Sequence, residues 1–75
     1  MDLNNKLFAG PLFIRNRLED VIRSAKSEIK LDKDESINYM LMECVNYYKK
    51  SGMSIDDFIK KCSTQWTFLD TSLSL

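Results

Sequence analysis

A chain of 75 residues has room for one domain, and at that length only about 60% of the unfolded surface is buried on folding, so its core is thin. With no His and two Cys, the sequence lacks the ligands of a closed tetrahedral zinc site, and in the reducing cytosol a stabilising disulfide is not expected. Eleven basic side chains balance eleven acidic ones, and 44% of residues are hydrophobic with only two Gly and one Pro; this predicts a folded chain and argues against a polyanion partner.

The N-terminus carries no basic region followed by an apolar one, and no stretch approaches roughly 18 apolar residues, so a cytoplasmic, non-membrane protein is expected. Leu3, Leu7 and Phe8 can form one face of a short turn or helix before Gly10-Pro11 breaks the pattern. From Pro11, which suits a first helical turn, Ile14, Leu18, Val21, Ile22, Ala25 and Ile29 recur at three- and four-residue steps. They predict a first helix over residues 11–31. Arg15, Glu19 and Arg23 stand at successive i,i+4 positions on its polar side.

Asp32 and Glu35 have the spacing of a capping box and open a second helix over residues 33–51. Its apolar arc, from Ile37 through Met40, Leu41, Cys44 and Val45 to Tyr47 and Tyr48, spans roughly 160° of the helical wheel, as for a helix flanked on both sides. Tyr39 and Met42 lie outside that arc. Gly52 stands where a left-handed residue ends the helix, with Lys49 and Lys50 before it to complement the dipole.

Ser54 and Asp57 repeat the capping-box spacing, and Met53 with Phe58 has that of a hydrophobic staple. A third helix over residues 55–69 follows, with Ile55, Phe58, Ile59, Cys62, Trp66 and Leu69 on one face and Thr64 and Thr67 as points where it can fray. Residues 70–75 read as an extended tail that puts Leu73 and Leu75 on one side. The expected fold is all-α: a small single three-helix domain in which helices two and three form an antiparallel hairpin, the first packs across it, and short extensions lie at both ends.

Without His the usual general base is missing, and neighbouring carboxylates such as Glu19-Asp20 and Asp56-Asp57 point about 100° apart on a helix. Two glycines cannot build a phosphate loop. No enzyme activity, cofactor or metal is expected. Cys44 and Cys62 fall on inward stripes at equal distance from Met53 and read as small core residues that would be level in a hairpin.

Apolar groups left without a core role, Tyr39, Met42, Phe68, Leu73 and Leu75, are candidate partner-binding residues, since Tyr, Met and Phe are enriched at protein interfaces. The expected function is a small interaction protein, a homodimer or an adaptor or inhibitor of a larger protein, an economy compatible with a viral or mobile-element origin. The alternative is a dimeric helix-turn-helix-like DNA-binding regulator that uses the third helix with Lys49, Lys50, Lys60 and Lys61. Asp56 and Asp57 at the start of that helix would face phosphates, and the chain has no excess positive charge, so nucleic acid is the disfavoured partner.

Overall fold

The structure, a computed structural model, describes the backbone of residues 3–73 and the side chains of residues 7 and 9–71. It is all-α, as expected, with α1 at Leu3–Ile29, α2 at Lys33–Lys50 and α3 at Ile55–Leu73, and no strand among the described residues. The chain divides into two compact units, Met1–Met40 and Leu41–Leu75, so the boundary falls within α2.

In the first unit, α1 departs from its expected start. It begins at Leu3 and runs through Gly10-Pro11, with Pro11 inside the helix. The pyrrolidine nitrogen has no hydrogen to give the carbonyl four residues back and crowds it, yet the residues on both sides keep helical geometry, so the expected break is no break. On the polar face Arg23 pairs with Asp20 at i,i+3, in place of the i,i+4 ladder through Glu19. Phe13 lies under the Arg17 guanidinium, 5.1 Å from the ring centre.

Lys30 ends α1 with φ at 61°, the left-handed conformation that closes many helices. The Leu31 N–H then donates to the Ala25 carbonyl at 3.2 Å. The capping box predicted for α2 is complete and reciprocal: the Glu35 N–H donates to the Asp32 carboxylate at 2.8 Å, and the Asp32 N–H to the Glu35 carboxylate at 3.1 Å. Beside it lies Ser36, at 4% exposure the one buried residue among those described, with Ile22, Ala25, Leu31 and Met40 half-buried in the same unit. The Ser36 hydroxyl finds no hydrogen-bond partner among the described residues.

In the second unit, Gly52 at φ 88° closes α2. The Met53 N–H donates to the Tyr48 carbonyl at 3.1 Å and the Gly52 N–H to the Lys49 carbonyl at 3.0 Å, the paired bonds of a Schellman ending. Ser54 caps α3 by accepting from the Asp57 N–H at 3.2 Å. The hairpin from α2 into α3 is closed by Tyr48 against Phe58, with ring centres 5.8 Å apart.

Helix α3 also runs further than expected, through residues 70–73 of the predicted tail. The Thr64 hydroxyl donates to the Lys60 carbonyl at 2.9 Å, and the Thr71 hydroxyl to the Thr67 carbonyl at 3.0 Å. Threonines that bond back to the preceding turn satisfy their hydroxyls without leaving the helix, so α3 does not fray where a threonine was expected to release it.

Candidate functional site

Among the described residues, no hydrophobic side chain is buried. The residues expected to form a core are half-buried at best. Leu18, Val21, Ile37, Leu41, Ile59, Trp66 and Leu69, all placed on inward stripes by their spacing, are exposed, and Trp66 is 74% exposed. The apolar faces exist, and among the described residues they are exposed.

The candidate partner-binding residues fall on this open surface where they are described. Tyr39 is 52% exposed, Met42 54% and Phe68 62%. Tyr39 and Met42 stand three residues apart on α2, which makes them neighbours on one side of the helix. Phe68 sits on α3 outside the aromatic contact of Tyr48 with Phe58. Leu73 is the last residue of α3, its side chain beyond those described, and Leu75 lies outside the described residues.

Sequence reasoning assigned Ile55, Ile59, Trp66 and Leu69 to a core, and they are exposed instead. Their spacing runs four, three, four, three from Ile55 through Cys62 to Leu69. That alternation is also the seam pattern of helices that pair with other helices. Cys44 and Cys62, expected to lie inward, are free thiols at the surface.

The second unit also holds a cavity of about 430 Å³ at its turn, lined by Val45, Tyr48, Lys49, Met53, Ser54, Ile55 and Phe58. Met53 and Phe58, the staple pair, are both half-buried on its wall. The Lys61 ammonium stands 5.8 Å from the Tyr48 ring centre, so one of the cations assigned to a DNA-binding surface is engaged with the turn. On the same unit Lys60 and Lys61 share a shallow depression with Asp57, Thr64 and Gln65, which places a carboxylate among the positive groups.

The carboxylate pairs do not converge into a centre: Asp20 pairs with Arg23, and Asp56 and Asp57 occupy the first turn of α3, where they complement the helix dipole. Among the described residues, no group of three or more His, Cys, Asp or Glu side chains is placed to hold a metal ion, and no helix is long and apolar enough to cross a membrane. No protein-family model, curated protein or solved structure matches the chain.

Proposed function

We propose that this chain is a non-catalytic protein–protein interaction module whose fold is completed by the apolar surface of another polypeptide. One observation carries the reading: no hydrophobic side chain among the described residues is buried, while large apolar residues stand exposed on all three helices. A soluble chain rarely keeps contiguous apolar surface in water, and large open patches mark interaction sites. With no buried apolar side chain among the described residues, a chain of this size also has little to offset the entropy of ordering its backbone. The missing burial is supplied by the partner, and the caps at Asp32 and Ser54 pre-set where the helices begin.

The test is hydrogen exchange and thermal unfolding of the full chain across a wide concentration range. The expected result is weak amide protection in the dilute chain, gained with concentration or with an added partner. A monomer that melts sharply at every concentration with strongly protected helices would overturn the reading. Binding to a DNA duplex that weakens steeply with salt would replace it with the regulator.

A further inference from the structure

We infer that the cavity at the turn between α2 and α3 binds a small amphipathic acid, an alkyl or aryl carboxylate whose apolar body enters the cavity while its anion meets Lys49 and Ser54. This goes beyond the interaction-module reading, because the ligand is a small molecule and the site lies wholly within the second unit, at residues 45–58. Val45, Tyr48, Met53 and Phe58 are half-buried, and all four line this cavity; every other described side chain of the unit is exposed. At about 430 Å³ it has the size of pockets that take small ligands, roughly 300–1,000 Å³.

Its walls are set before a ligand arrives. On the α2 side the Met53 N–H and the Ser51 hydroxyl both donate to the Tyr48 carbonyl, at 3.1 and 2.7 Å. On the α3 side the Phe58 N–H donates to the Ser54 carbonyl at 3.0 Å. The Tyr48 and Phe58 rings, inclined at 59°, join the two sides. A wall held by such local bonds has little left to order on binding.

The chemistry of the wall selects the ligand. Val45, Met53 and Ile55 with the two rings offer apolar surface, and the remaining groups are donors. Lys49 is the only charged residue on the wall and makes no ion pair among the described residues. The Ser54 hydroxyl accepts from the Asp57 N–H at 3.2 Å, and its own proton has no acceptor among the described residues. Asp56 is not on the wall, and Asp57 lines the separate depression with Lys60 and Lys61. An apolar enclosure with a cation, a hydroxyl donor and no carboxylate suits an anion on an apolar body. It disfavours an amine, whose charge would be set against Lys49.

Octanoate titrated into the full chain and followed by amide NMR tests the site, beside octylamine and the variants Lys49→Met and Lys50→Met. Lys50 shares the last turn of α2 but not the wall. The expected result is saturable shifts centred on Val45, Tyr48, Met53 and Phe58, with affinity about tenfold lower in Lys49→Met, the loss of a charge-assisted hydrogen bond, and unchanged in Lys50→Met. No saturable shift, or shifts spread over the exposed Ile59, Trp66 and Phe68, overturns the site. Equal loss in both lysine variants, or octylamine bound as tightly, overturns the acid. Shifts at the same amides on raising protein concentration without octanoate would assign the cavity to a polypeptide instead. Each of these failures leaves the module reading standing, since that reading is decided by amide protection and unfolding.

Discussion

Two residues hold the same left-handed backbone at the ends of neighbouring helices and differ in how well they suit it. Gly52, at φ 88°, has no Cβ to clash; Lys30, at φ 61°, holds a conformation that costs an L-residue roughly 1 kcal/mol or more. Lys30→Gly is therefore expected to stabilise the fold by about 0.5–1 kcal/mol, the relief of strain less the extra entropy a glycine loses. Gly52→Ala meets no atom within 4 Å of the new Cβ, so its cost is the backbone strain alone, about 1 kcal/mol. Chemical denaturation at one fixed protein concentration reads both shifts, which are expected to be opposite in sign. The need for a left-handed residue was legible at Gly52, where the amino acid announces it. At Lys30 it was not, because lysine carries no such signal and the conformation follows from where α2 must start.

At the scale of the element, local chemistry placed the beginnings of α2 and α3 well. A cap is a contact between residues three apart, so Asp32 with Glu35 and Ser54 with Asp57 needed nothing from the rest of the chain. The outer ends went differently. Gly10-Pro11 reads as a stop, yet α1 passes through it, and the lost hydrogen bond and the crowding of the ring remain as a cost within the helix. Pro11→Ala is expected to raise helical ellipticity and to stabilise α1 by up to about 3 kcal/mol, the difference between proline and alanine in a helix interior. Circular dichroism through thermal unfolding reads it, and an unchanged signal would mean that residues 3–10 do not continue the helix. At the other end, Thr64 and Thr71 bond back to the turn before them and carry α3 to Leu73. The same side chain can release a helix end or stay within it, and sequence spacing does not distinguish the two.

For the whole molecule, the proposed interaction module ties stability to concentration. A chain that buries its apolar faces only against a partner gains stability by mass action, so the midpoint of thermal unfolding is expected to rise with protein concentration, and differential scanning calorimetry over a dilution series checks it. A sharp midpoint that does not move, with strongly protected helices, would place the stabilising contacts within one chain.

By itself the sequence determined the all-α class, the three helices, their caps, and which apolar residues share a face. Each of these is set by residues a turn or less apart, through hydrogen bonds, dihedral preferences and the 3.6-residue period. Only the tertiary structure decided how far those residues are buried, and Ile59, Trp66 and Leu69 are exposed. Periodicity fixes the direction in which Ile59, Trp66 and Leu69 point, but burial is a relation between segments, and a stripe that closes a core has the same spacing as one that waits for a partner.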